Sequence, residues 1–83
     1  MGEVAATFKI FVEDMDKFNE VKVEIQKLGP KAMVDEEVGF GIKTIKAVFI
    51  IGDEGGQIDK LEASLLAIKG VSEIRAEEVG RML

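Results

Sequence analysis

Polar and apolar residues alternate along the first dozen positions. Val4, Ala6, Phe8, Ile10 and Val12 share one side of an extended chain, and Ala5, Thr7, Lys9 and Phe11 share the other. A period of two with one dry side predicts a strand over Glu3 to Val12. The period then changes. Phe18, Val21, Ile25 and Leu28 recur at helical spacing, Asp14 or Asp16 is placed to cap the start, and Gly29-Pro30 stops the run. Ala32 to Val38 is extended again but carries three acids in a row, which suits an edge strand. Ile42 to Ile51 is apolar on both sides toward its far end, as a central strand would be. Gly52-Asp53-Glu54-Gly55-Gly56 reads as a turn. Ile58, Leu61, Leu65 and Ile68 mark a second amphipathic helix, flanked by Leu66 and ended by Gly70. Val71 to Glu78 reads as a short last strand with Ile74 and Ala76 facing inward, and Val79 to Leu83 as a partly apolar tail.

This order predicts one domain over residues 1–83 of the α+β class. Two right-handed split crossovers make it a ferredoxin-like β-α-β-β-α-β sandwich, an antiparallel sheet of order 4-1-3-2 with two helices on one face. The uncovered face then carries Phe11, Val48 and Ile50 beside Lys9, Thr44 and Lys46. Three large apolar residues on an open sheet face are a candidate contact surface.

Composition narrows the chemistry. The chain has 83 residues, 47% of them hydrophobic, so a folded core is expected. It has neither His nor Cys, which removes the commonest general base, the thiol nucleophile and any disulfide. Ser64 falls mid-helix without a nucleophile-elbow pattern. Asp35, Glu36 and Glu37 alternate sides on an extended segment and make a poor cation cage, so no metal and no cofactor are expected. The net charge of -5 opposes non-specific nucleic-acid binding. Asp53-Glu54-Gly55-Gly56 precedes a helix, but it lacks a phosphate-loop pattern and its acids repel phosphate. Met1-Gly2-Glu3 does not begin a signal peptide, and the longest apolar run, Ala47 to Ile51, is too short to span a bilayer. What remains is binding, to a protein or to a small ligand.

One motif stands out against that background. Gly39-Phe40-Gly41-Ile42-Lys43 places an aromatic ring between two glycines at the mouth of the strongest strand. Glycines free the backbone for an unusual path. The phenylalanine is then either a plug under the sheet edge or a wedge that protrudes toward a partner.

On this motif and on landmarks along nearly the whole chain, the sequence resembles the archaeal form of the translation elongation factor 1-beta family. The landmarks are Met1-Gly2-Glu3-Val4-Ala5-Ala6, Ala47 to Gly52 with the acidic turn after it, Leu61-Glu62 through Gly70-Val71, and Glu78-Val79. The resemblance implies the same β-α-β-β-α-β fold and a cytoplasmic exchange factor without covalent chemistry of its own. Its implied partner is the elongation factor 1-alpha GTPase that carries aminoacyl-tRNA, with no direct nucleic-acid or membrane contact. Phe40 matches a phenylalanine that contacts the GTPase in eukaryotic relatives, with Gly39 and Gly41 displaying it and Lys43 supporting the same surface. The C-terminus departs from the eukaryotic pattern. A lysine precedes the last residue there, and here Met82 holds that position with Arg81 the nearest cation. Arginine is a planar fork rather than a compact ammonium. Arg81 and Met82 are carried as candidate partner contacts; either Arg81 reaches the place of that lysine, or exchange works through deformation of the partner's switch and nucleotide loops.

Two other readings fit the same topology. One is a ligand-binding regulatory module of the ACT type, which Ile68-Lys69-Gly70-Val71 resembles at its helix-to-strand turn. The acidic loop Glu13-Asp14-Met15-Asp16 lacks the glycines such a module would favour. The other is a docking subunit that uses the Phe11, Val48 and Ile50 face.

Overall fold

The alternation in the first strand decides where the core lies. In the computed structural model, which describes residues 2–52 and 56–81, β1 spans Glu3–Val12 and buries Ala6, Phe8, Ile10 and Val12 on one face. The chain continues through a single 3-10 turn at Met15–Lys17, α1 (Phe18–Lys27), β2 (Ala32–Gly39), β3 (Ile42–Gly52), α2 (Gln57–Leu66) and β4 (Val71–Arg81). The sheet order is β2-β3-β1-β4, all pairs antiparallel, with the two apolar-rich strands at the centre as the hydrophobic pattern predicts. Register sets Ala6 opposite Phe49, Phe8 opposite Ala47 and Ile10 opposite Ile45, so one layer of apolar side chains faces the helices. Val21 and Ile25 of α1 and Leu65 of α2 close that layer and are fully buried. The Phe8 and Phe49 rings meet edge to face at 6.2 Å.

Local chemistry sets the element ends. The Asp14 carboxylate accepts the Asp16 N–H at 2.9 Å and opens the 3-10 turn that leads into α1. Gly29, at φ 79, turns the chain out of α1 in the left-handed conformation that ends many helices. Gly70 is the tightest position. It is buried at φ 104, and a Cβ there would lie 2.9 Å from Cγ2 of Val21. Its carbonyl accepts the Glu13 N–H at 2.9 Å, which ties the end of β1 to the start of β4.

The structure departs from the pattern in four places. Leu28 falls one residue past α1 and is exposed, so the buried stripe ends at Ile25. Ile68 likewise lies past the end of α2 yet still packs on the core. β4 does not stop at Glu78 but pairs with β1 as far as Arg81, taking in Val79 to Arg81 of the expected tail. Its alternation is broken by register shifts that leave Ser72 and Glu77 without a partner, and two such bulges conceal a strand from a period-two search. Ile74 faces the core as expected, whereas Ala76, beside a bulge on an edge strand, is exposed. The acidic part of the predicted turn after β3, residues 53–55, lies outside the described residues, as do residues 82 and 83.

The expected apolar patch on the open face does not form. Phe11, Val48 and Ile50 are each only partly exposed, and Lys9 and Lys46, opposite one another, stand between Phe11 and the other two. Lys9 and Arg75 lie over the Phe11 ring at 5.6 and 5.3 Å from its centroid.

Candidate functional site

The β2–β3 hairpin ends in the pair Gly39 and Ile42, which leaves Phe40-Gly41 as a two-residue loop. Both loop residues have positive φ, 57 for Phe40 and 75 for Gly41. That is the signature of the mirror-image turn whose twist suits a hairpin, and asparagine followed by glycine is its preferred sequence. Gly39 precedes it at φ 110, where the register shifts between Glu37 and Gly39. Three successive residues therefore run through the region where an L side chain is strained. Two are glycine, and the third is the only non-glycine residue with positive φ among the described residues.

A phenylalanine is a poor choice for that position on local grounds. Its Cβ crowds the following carbonyl, at a cost of ~1–2 kcal/mol. Nothing in the fold compensates. Phe40 is 104% exposed, so its ring touches no other part of the chain, which excludes the plug under the sheet edge. Val38 and Ile42, flanking the turn, are about half exposed at 50% and 49%. The tip is therefore an apolar point made of three side chains. The sequence motif draws attention to Phe40 alone. Val38 and Ile42 are missed because one is the extra residue of a bulge and the other reads as the start of a buried strand. A Cβ built on Gly39 or Gly41 would meet nothing within 4 Å. These glycines answer to their backbone angles, and they leave the tip slim on the side a partner would approach.

Lys43 lies at the same end of the molecule. Its N–H donates to the Met15 Sδ at 3.4 Å, which fastens the base of the hairpin to the turn before α1. Its ammonium stands 5.8 Å from the centroid of the Phe18 ring, on the helix side of the sheet. Lys22 approaches the same ring at 5.8 Å but pairs with Asp35 at 3.0 Å, whereas Lys43 has no carboxylate within salt-bridge distance among the described residues. Met15, Phe18, Asn19, Gly41 and Lys43 line a recess of about 240 Å³ directly under the tip. The arrangement is thus an exposed apolar point above a small cationic hollow.

Arg81 is not part of it. Its backbone pairs with Val4, which pairs with Ile51 on the other side, and this row is at the far end of the sheet from Ile42. The stretch of β3 from Ile42 to Ile51 runs about 30 Å at the ordinary rise of a strand. The structure brings together Gly39, Phe40, Gly41 and Lys43, and it sets Arg81 at the opposite end; Met82 lies outside the described residues. Among the described residues no three acids converge as a metal site would require, and no helix is long and apolar enough to cross a membrane.

Known proteins similar to this chain match it over nearly its whole length. Residues 6–82 match the family model described as the EF-1 guanine nucleotide exchange domain. The chain is 40% identical to an elongation factor 1-beta of Thermoplasma acidophilum, over 95% of this chain and 97% of that protein. It is 34% identical to one of Methanococcoides burtonii, over 98% of both, and 35% identical to one of Methanothermobacter thermautotrophicus, over the full length of both. Among solved structures it is similar to the ACT domain from GTP pyrophosphokinase of Chlorobium tepidum, with a TM-score of 0.72 over 94% of this chain and 90% of that one. At 17% identity this last likeness is one of fold.

Proposed function

The chain belongs to the EF-1 guanine nucleotide exchange domain family, and from that premise we propose that it promotes GDP release from the elongation factor 1-alpha GTPase in the cytoplasm, with Phe40 as its principal contact. The observation that carries this reading is the Phe40 ring, wholly exposed on a backbone angle that disfavours it. A fold keeps such a residue against its own local preference when the residue serves something outside the fold. The chain supplies no nucleophile, metal or cofactor to this step. It works by binding one state of its partner more tightly than another.

The size of the effect follows from the ring. Burying a phenylalanine side chain is worth about 1.5–3 kcal/mol. Where that burial occurs only in the GTPase conformation that has released GDP, reciprocity lowers GDP affinity by about 10- to 150-fold. Gly39 and Gly41 keep the tip narrow enough to enter a cleft, and Val38 and Ile42 add apolar contact at its mouth. Lys43, unpaired among the described residues, meets an acidic group of the GTPase as the tip seats. Arg81, whose backbone pairs with Val4, makes a second, separate contact about 30 Å along the sheet, and Met82 is kept as a candidate contact from the sequence alone.

The test is release of a fluorescent GDP analogue from the cognate GTPase, with excess unlabelled GDP. The expected result is acceleration that rises with the concentration of this protein and is almost lost in Phe40→Ala, which stays folded because the ring has no intramolecular contacts. Full activity of a folded Phe40→Ala protein sinks the role of the ring. No acceleration by the unaltered protein sinks exchange on this partner.

A further inference from the structure

The open face of the sheet carries a row of positive charge that the hairpin reading does not use. Register places Lys9 directly opposite Lys46 on β3 and directly opposite Arg75 on β4. With neighbouring strands about 4.8 Å apart, three cations stand in line across about 10 Å. Like charges directly opposite one another destabilise a sheet. Among the described residues neither Lys9 nor Lys46 makes a salt bridge, and Arg75 has one, to Glu73 at 3.1 Å. The Phe11 ring takes Lys9 and Arg75 at its surface, at 5.6 and 5.3 Å from its centroid. All this occurs in a chain of net charge -5, where a row with two cations outside any salt bridge among the described residues is a local departure.

We propose that this row is a docking surface for an acidic, extended segment of another protein. Charge complementarity identifies the class of partner, and the surroundings narrow it. Glu36 and Glu73 on one side of the row and Glu78 on the other share the open face, by their pairing with Thr44, Phe11 and Thr7. They confine an anionic segment to a path across the strands. A single-stranded RNA would need an aromatic platform for its bases. Phe11 is the one aromatic residue on this face, and the two cations already occupy it. Phe8, Phe18 and Phe49 are in the core, and Phe40 is at the hairpin tip. The surface is separate from the apolar tip, so it holds whichever partner Phe40 engages.

The experiment is a titration of the isotope-labelled protein with a short oligoglutamate peptide, followed by amide chemical shifts. Shifts are expected on the central residues of β1, β3 and β4 around Lys9, Lys46 and Arg75, and to collapse as salt is raised. Lys9→Thr with Lys46→Thr should weaken binding about tenfold. Because that variant relieves like-charge repulsion, it should melt no lower than the parent. Lys27→Ala, on the exposed face of α1, should leave binding unchanged. Shifts that gather on the helix lysines instead, or peptide binding indifferent to the double variant, overturn the proposal. So does an oligouridylate that binds this face more tightly than the peptide.

Discussion

Replacing Phe40 by asparagine should make the protein more stable and leave it unable to promote exchange. The first position of this hairpin turn has φ 57, and Phe40 adopts it without any compensating packing, being 104% exposed. An L residue in the left-handed region costs ~1–2 kcal/mol, and asparagine is among the few residues that visit it readily. The substitution would also complete the asparagine-glycine pair that this turn prefers, since Gly41 already occupies the second place at φ 75. No burial is forfeited, so the stabilisation should approach about 1 kcal/mol. For a domain of this size that is a rise in Tm of roughly 4–8 °C. Phe40→Gly relieves the same strain but loosens the unfolded chain by about 0.5–1 kcal/mol, so it should come out near neutral.

Two assays on one set of variants decide the matter. Thermal unfolding should rank Phe40→Asn above the parent, with Phe40→Ala close to the parent because alanine keeps the strained angle. GDP-analogue release should fall in all three variants to a similar low level, whatever their stability. Stability and exchange activity must therefore change in opposite directions. A Phe40→Asn protein that melts at or below the parent temperature would show that the ring stabilises the fold, and the inference from strain to function would then collapse. An asparagine variant that still accelerates release would separate the strain from the activity, which is equally fatal.

Gly70→Ala should be strongly destabilising, by about 2–4 kcal/mol, because a methyl 2.9 Å from Val21 Cγ2 must displace α1 and the backbone at φ 104 rejects a side chain; denaturant unfolding measures it. Val38→Thr with Ile42→Thr should lower the acceleration of GDP release several-fold with little change in Tm, since both side chains are about half exposed and border the tip. Unchanged release would confine the contact to Phe40. Arg81→Ala and Phe40→Ala should act additively on GDP release within about 0.5 kcal/mol, since the two positions are at opposite ends of the sheet. Strong coupling between them would mean that they meet the same element of the partner.

Much of this architecture is legible in the chain because the core obeys simple periods. Ala6, Phe8 and Ile10 alternate, Phe18, Val21 and Ile25 repeat at helical spacing, and both patterns end in the buried layer. Legibility fails where a bulge shifts the period. β4 loses its alternation at Ser72 and Glu77, so its last residues look like a tail. The bulge at Val38 has the same effect on the candidate site, turning an apparently ordinary strand residue into part of an exposed tip. Register is equally invisible along one strand. Phe11, Val48 and Ile50 look like one surface until pairing places Lys9 and Lys46 between them. The motif around Phe40 is readable as unusual, but its sense depends on three backbone angles and an exposure that no spacing encodes.

The site makes physical sense only together with the sheet behind it. A protruding ring on a loose loop would lose its contact energy to the ordering of the loop. Here the loop has two residues, it joins the edge strand β2 to the central strand β3, and Lys43 N–H···Sδ of Met15 pins its base. The strained angle at Phe40 persists because a two-residue turn between fixed strands has few other conformations. On the proposed reading the ring is therefore held out in the position where the partner would meet it, and most of its burial energy is left for discriminating between states of that partner. A longer or softer hairpin with the same phenylalanine should bind and discriminate less, even with every side chain of the tip retained.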